Sequence, residues 1–430
     1  MKKMPVFTTS MLISAALLSS PTTLAAGFQI EAQSATGVGR AYAGDGIIAD
    51  NAAVMAINPA AMALFDKKAF TMGATAIKPN ISVENGDYNA AINDNSGAVS
   101  YDDAGNLAVA PNLFLIVPLN DKWAVGAGLY SNFGTESEFD DSFPGEYGGT
   151  SSIISADLAL AVSYRLNQQW SFGAGLDLIY GHGKFQRSLD VDANKTITIE
   201  TPRPLPDYSH TFTVDSRINA ADVDASGAGV GWNVGTTYEL DRNNRWGISY
   251  HASPEISAKG KIDGPADVTI ADTLYVPLPD FAQFSGYNHF KGTRFALSYT
   301  LGWTDWSKFD KLATDGAVNT LQKFEWRDTW TVAIGGTYYL NDKWTLRTGY
   351  KFDQGAQDKI TTISVPDSNR NWLSAGFSYA PSHDSSIDFG ITYLLGVDVD
   401  VHEEHAGVSS IDATTHTDAL IAGVQYSKTF

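Results

Sequence analysis

The 430-residue chain has no cysteine at all. That excludes disulfide staples and any thiolate chemistry, whether nucleophilic or metal-binding. Basic residues are scarce as well: 29 Lys and Arg stand against 48 Asp and Glu, a net charge of −19. Nucleic-acid binding demands clustered positive charge, so that class of partner is excluded. Long apolar runs are also missing. No stretch approaches the roughly 18 continuous apolar residues of a membrane helix, and the mean hydropathy is only −0.14. A low average does not exclude a membrane barrel, whose strands show lipid only every second residue.

What is present points to export. Lys2 and Lys3 form a charged start, and Met11 to Leu18 a short apolar run. Thr23-Leu24-Ala25 then offers a cleavage site. Residues 1–25 read as a signal peptide, leaving Ala26 as the mature start. Loss of Lys2 and Lys3 takes the net charge from −19 to −21. At the other end, Leu420, Ala422, Val424, Tyr426, Lys428 and Phe430 share one strand face, apolar at five positions and closed by an aromatic. Bacterial outer-membrane barrels end in this way, and 10 Trp, 19 Tyr and 21 Phe suit their aromatic girdles.

From about Lys68 the chain falls into segments of period two. Ile154, Ala156, Leu158, Leu160, Val162 and Tyr164 alternate with Ser155, Asp157, Ala159, Ala161 and Ser163. Trp170, Phe172, Ala174, Leu176, Leu178 and Tyr180 repeat the pattern. Period two means strand, and charges on the second face mean a wet interior. Short turns at Asn120-Asp121-Lys122, Asp241 to Arg245 and Asn341-Asp342-Lys343 each precede a tryptophan and read as periplasmic. Long polar stretches, Ser82 to Asn106, Leu189 to Ala225 and Val401 to Thr415, read as outer loops. Counting segments predicts about 14 strands over residues 68–430, an all-β antiparallel transmembrane barrel.

Residues 26–67 lack the alternation and are rich in small residues. Asn58 as a cap with Pro59 at the first helical position predicts a short helix through Ala60. The simplest place for this prelude is the lumen, as a small helical plug. Gly134 ends the alternation Trp123, Val125, Ala127, Leu129, so Asn132-Phe133-Gly134 reads either as a bend within a strand or as an ordinary strand end.

Ala26-Gly27-Phe28-Gln29, Gly39-Arg40-Ala41-Tyr42, Asn58-Pro59-Ala60, Tyr164-Arg165-Leu166-Asn167, Trp170-Ser171-Phe172-Gly173, Tyr238-Glu239-Leu240-Asp241 and Ser285-Gly286-Tyr287-Asn288 occur in this order. With Gly231-Trp232-Asn233 and Trp372-Leu373-Ser374-Ala375-Gly376, they resemble the FadL family of outer-membrane transporters of hydrophobic compounds. The resemblance implies a 14-stranded barrel with an N-terminal hatch. It also implies ligand-gated lateral diffusion of long-chain fatty acids through a wall gap, here at Asn132, Phe133 and Gly134. It places the carboxylate-binding residues at Arg187 and Lys323, with an acidic neighbour at Asp353, and the hatch gating residues at Phe28, Asn58, Pro59 and Ala60. Strand parity, taken separately, turns Arg187, Lys323 and Asp353 into the lumen. A solvated charge ladder satisfies the same parity.

Implied partners are long-chain fatty acids or other hydrophobic small molecules, together with outer-membrane lipid and lipopolysaccharide. The chain is expected to be a monomer, without cofactor or metal. His402-Glu403-Glu404-His405 lacks the HExxH spacing and reads as a solvated acidic loop, as does Glu136 to Glu146. No Ser/His/Asp set suggests catalysis, so no enzyme is expected. A carrier of neutral or aromatic hydrocarbons is the alternative function.

Overall fold

The computed structural model describes residues 27–430 apart from 194–195, 200–207, 212–214, 265–267, 317–318 and 406. The signal-peptide reading and Ala26 lie outside the described residues. Among those described, no helix is long and apolar enough to cross a membrane. Fourteen antiparallel wall strands close into a barrel instead.

In chain order they are β1 (Ala69–Ala90), β2 (Gly97–Tyr101 with Ala108–Pro118), β3 (Trp123–Tyr130 with Gly134–Glu138) and β4 (Thr150–Arg165). Then come β5 (Trp170–Val191), β6 (Ser216–Asp241), β7 (Asn244–Ala252 with Glu255–Asp263) and β8 (Thr273–Pro277 with Phe281–His289). The next three are β9 (Phe295–Thr304 with Lys311–Thr314), β10 (Thr320–Lys323 with Thr329–Tyr339) and β11 (Trp344–Asp353). The last are β12 (Arg370–Ser382), β13 (Ser385–Leu395 with Val399–His405) and β14 (Ser409–Thr429). β14 returns to β1 in a ladder running from Ala69↔Thr429 to Ala90↔Ser409, so the first and last strands close the barrel.

The alternation decides which side each residue faces. Leu158, Leu160, Leu176, Leu178, Val230, Trp232, Leu420 and Val424 are exposed on the outside, whereas Asp157, Ser163, Asp177, Asn233 and Gln425 are buried inside. A soluble monomer rarely exposes so wide an apolar band; here the solvent is the bilayer. The short turns share one device. Asn120, Asn167 and Asn341 each accept, through Oδ1, from the backbone N–H two and three residues on, at 2.8–3.0 Å. The second of these donors is in each case the tryptophan that opens the next strand.

Two expectations change. β1, β5, β6 and β14 run for 22, 22, 26 and 21 residues, where about 9–11 cross a bilayer. The stretches read as outer loops are therefore in large part strand. Above the bilayer neither face must be apolar, so the hydrogen-bonded ladder continues after the hydropathy pattern has faded. Glu146 is not solvated either: it is buried and accepts from Tyr88 Oη and Ser409 Oγ, both at 2.7 Å.

Residues 27–66 pack against the inner faces of the wall, and every residue from Ala32 to Ile48 is buried. The segment holds one α-turn, Ala35–Val38, and two 3-10 turns, Ala52–Ala56 and Pro59–Leu64. Ser34, Asn51 and Asn58 cap them through their side chains.

Candidate functional site

β7, β8, β9 and β10 are interrupted at 253–254, 278–280, 305–310 and 324–328. These breaks carry Leu278, Trp306, Phe309, Phe324 and Trp326 into one apolar core. Phe28, from the inner segment, is its hub. The Phe28 ring lies 4.9 Å from those of Trp306 and Phe309 and 5.9 Å from those of Phe133 and Trp326, edge-on or tilted. Beside it a small apolar cavity is lined by Phe28, Ile153, Phe185, Leu274, Phe309 and Phe324.

Arg187 stands at the edge of this cavity. Its Nη2 donates at 2.8 Å to Ser151 Oγ, and Ser151 itself lines the cavity. Nη1 donates to the carbonyls of Thr150 and Gln186, and the guanidinium stacks 3.9 Å over Phe185. Arg187 is buried, and among the described residues no carboxylate lies within ion-pair distance of it. A buried cation whose partners are all neutral leaves room for an anion. Glu403, in the outer extension of β13, acts on it through space. Burial pushes the Glu403 carboxyl up to about 7, against the pull of the Ile363 N–H and of Arg187.

Lys323 and Asp353 are elsewhere. Lys323 is exposed and lines an open outer cavity with His402, Glu403 and Glu404. Leu321, two residues earlier on the same strand face, packs on the apolar core, whereas Lys323 lies beyond it and the break at 324–328 carries Phe324 and Trp326 in. Asp353 is buried 3.4 Å from Arg370 and faces a third cavity, shared with Gln29, Glu31, Lys351 and Trp372. The three side chains occupy three different surroundings. The His402 to His405 segment is strand instead of loop, and no metal-holding group occurs among the described residues.

Asn132-Phe133-Gly134 lies at a break in the wall. β3 pairs with β4 at Tyr130↔Asp157 and again at Gly134↔Ile154, so three residues oppose two, a bulge. On its other side β3 pairs with β2 only up to Leu113↔Leu129, and contact resumes at the single bridge Gly105↔Ser137. Between these points β2 and β3 share no ladder. Pro111 lies in this stretch of β2, where a missing N–H is tolerated because the strand has become an edge. That proline is the local sign in the sequence of where the wall opens.

The inner segment closes the break from within. Gln29 bridges Phe133 as an antiparallel strand, with Ile30 N donating to Asn132 O at 2.8 Å and Gly134 N to Phe28 O at 2.9 Å. Gln33 Nε2 reaches Asn132 Oδ1 at 2.9 Å, and Asn112 Nδ2 of β2 reaches Ala32 O at 3.0 Å. Asp157 holds the bulge through the Asn132 N–H at 3.1 Å.

Further from Phe28 the contacts differ in kind. Asn58 caps its own turn and donates to Thr236 O at 3.2 Å. Gly173 and Gly235 admit the turn: a Cβ on either would meet Ala60 N or Asn58 Oδ1 at 2.3 or 2.1 Å. Arg40 pairs with Asp45 at 3.0 Å and Asp50 at 2.7 Å, and Arg347 of β11 lies 3.5 Å from Asp50.

Residues 16–430 match the family model described as outer membrane protein transport protein (OMPP1/FadL/TodX). The chain belongs to this family. It is 34% identical to the long-chain fatty acid transport proteins of Salmonella typhi and of Escherichia coli K12, over 94% of this chain and 95% of theirs. It is 32% identical to outer membrane protein P1 of Haemophilus influenzae, over 93% and 92%. A Pseudomonas aeruginosa FadL homologue superposes with a TM-score of 0.79 at 23% identity, covering 94% of this chain and 99% of that one. The Pseudomonas putida toluene transporter TodX gives 0.63 at 19%, covering 94% and 99%, a likeness of fold. Like its family, the protein resides in the outer membrane.

Proposed function

We propose that this FadL-family protein takes up long-chain fatty acids across the outer membrane by passive, hatch-gated lateral diffusion. The observation that carries this reading is Arg187, buried on neutral partners at the mouth of an apolar cavity. A carboxylate there supplies the missing counter-charge, and charge-assisted bonds offset the cost of burying it. The acyl chain takes the cavity. At ~0.8 kcal/mol per CH₂, about fifteen methylenes contribute on the order of 12 kcal/mol at most. A site that good holds its ligand unless something moves. Residues 27–66 act as the hatch, and Phe28 is the moving part, joined through Phe133 to the bulge in β3. Its displacement loosens the Gln29–Phe133 bridge and lets the ligand leave sideways between β2 and β3. The 34% identity to proteins named for fatty-acid transport supports the substrate class.

The test is oleate binding and uptake beside the alcohol of equal length. Mass spectrometry of lipid that co-purifies with gently extracted protein should find fatty acids. Recovery of neutral hydrocarbons alone, with oleate unable to bind, would overturn the reading.

A further inference from the structure

The ring around Phe28 contains two side chains that an apolar cage does not need. Trp306 is fully buried and Trp326 is 4% exposed, yet neither Nε1 finds an acceptor among the described residues. The two rings are in contact, T-shaped, with centroids 5.1 Å apart, and both pack on Phe28. Phe309, Phe324 and Phe133 belong to the same cluster and carry no polar side-chain atom. Phenylalanine at 306 and 326 would likewise keep an aromatic ring without an unbonded N–H, and a donor buried without a partner is unfavourable.

The backbone is bent to deliver these indoles. Trp306 opens the turn Trp306–Lys308 that breaks β9, and Trp326 follows Glu325, a non-glycine residue at φ 47°. Left-handed backbone at such a residue is unfavourable and persists where the surroundings impose it. On the hatch side, Gly27 lies so close to Trp306 that a Cβ would meet the indole at 2.5 Å. Gly27 and Phe28 therefore cover Trp306 as long as the hatch stays in place.

We propose that Trp306 and Trp326 form a donor pair for the head group of a ligand in transit, one that acts when Phe28 withdraws. The inference rests on the fatty-acid reading above and adds a second station to it. An oxygen-bearing head group leaving the Arg187 end of the cavity accepts from the two indole N–H groups on its way towards Phe133 and the gap. Indole is a donor only, and neutral. It favours a carboxylate over a hydrocarbon but holds it less firmly than a guanidinium, which suits a station that must be left again. A pure hydrocarbon gains nothing from either N–H.

The experiment uses the full-length mature protein with oleate and with 1-octadecene. In wild type with saturating oleate, two of the ten tryptophan indole N–H resonances should move downfield by a fraction set by how often the head group visits them, and stay in place with octadecene. Trp306→Phe and Trp326→Phe should each remove one of those two. The double variant should take up oleate at least fivefold more slowly than wild type, at concentrations that give equal amounts of bound oleate. If oleate binds and no indole resonance moves, the inference is wrong and the fatty-acid reading stands. Uptake by a folded double variant at the wild-type rate also overturns it. If oleate fails to bind wild type at all, both fall together. The wild-type spectrum decides the matter even where a variant does not fold.

Discussion

The hatch meets the barrel in two chemically different ways. Around Gly27 to Gln33 it is held by ring contacts, two backbone bonds to the β3 bulge, a few side-chain bonds and one ion pair, Glu31 with Lys351 at 2.8 Å. Around Arg40 to Ala60 it is braced internally by Arg40 with Asp45 and Asp50, and it meets the wall at Arg347, 3.5 Å from Asp50, and by close approach at wall glycines. Apolar contacts are non-directional, and an acyl chain can replace them with little loss. A buried ion pair has no such substitute, and breaking it strands a charge. One chain segment of about 40 residues thus joins a stretch held mainly by replaceable ring contacts, with one ion pair beside them, to a stretch braced by its own ion pairs and by wall glycines.

The sharpest way to break this contrast is to repair the wall. Deleting Asn132 restores one-to-one pairing of β3 with β4. Oleate uptake should fall to background while the barrel still folds, as judged by heat-modifiable migration. Normal uptake by that variant would leave only an axial route. The next largest effect should come from the anchored half. Arg40→Met leaves Asp45 and Asp50 without their main partner, a loss of roughly 3–5 kcal/mol. Hydrogen exchange should then rise across residues 35–64 and leave the wall ladders protected. Exchange confined to Gly27–Gln33 would show that the anchor had been misassigned.

Smaller effects test the ligand end. Arg187→Met should weaken oleate binding about tenfold or more, since one charge-assisted bond contributes ~1.5–3 kcal/mol. The alcohol should lose much less. Lys323→Met should cost oleate less than Arg187→Met does, because Lys323 is exposed at the outer cavity. Equal losses would place both at the head group. The smallest effect concerns pH. Burial raises the Glu403 carboxyl to about 7, so above that pH its negative charge competes for Arg187 and below it the competitor is neutral. Oleate affinity should rise a few-fold as pH falls through 7, for as long as the ligand itself stays ionised. Glu403→Gln should flatten that rise, and an unchanged profile would remove Glu403 from the site.

Much of the barrel was legible. Lipid on one side and water on the other force a period of two, and Asn-x-x-Trp turns mark where strands reverse. Asn58-Pro59 announced its helical turn for local reasons, a cap and a preset φ. The site was less legible because it is assembled where the rules lapse. Parity turned Arg187, Lys323 and Asp353 to one side of the wall, but it did not show that they lie in three different surroundings, with Lys323 at the outer cavity. Trp306, Trp326 and Asp157 carry no local sign of their roles, whereas Pro111, which cannot donate to a ladder, marks the unpaired stretch of β2.

The sequence by itself determined the membrane-facing pattern, the strand count and the place where a non-strand segment precedes the wall. Each of these follows from interactions between near neighbours or between a residue and its solvent. Only the tertiary structure decided that Gln29 pairs with Phe133, that Phe28 fills a ring drawn from β3, β9 and β10, and that Arg187 is buried without a carboxylate partner among the described residues. Such contacts join residues more than a hundred positions apart. Barrel closure brings them together, and no local preference records it.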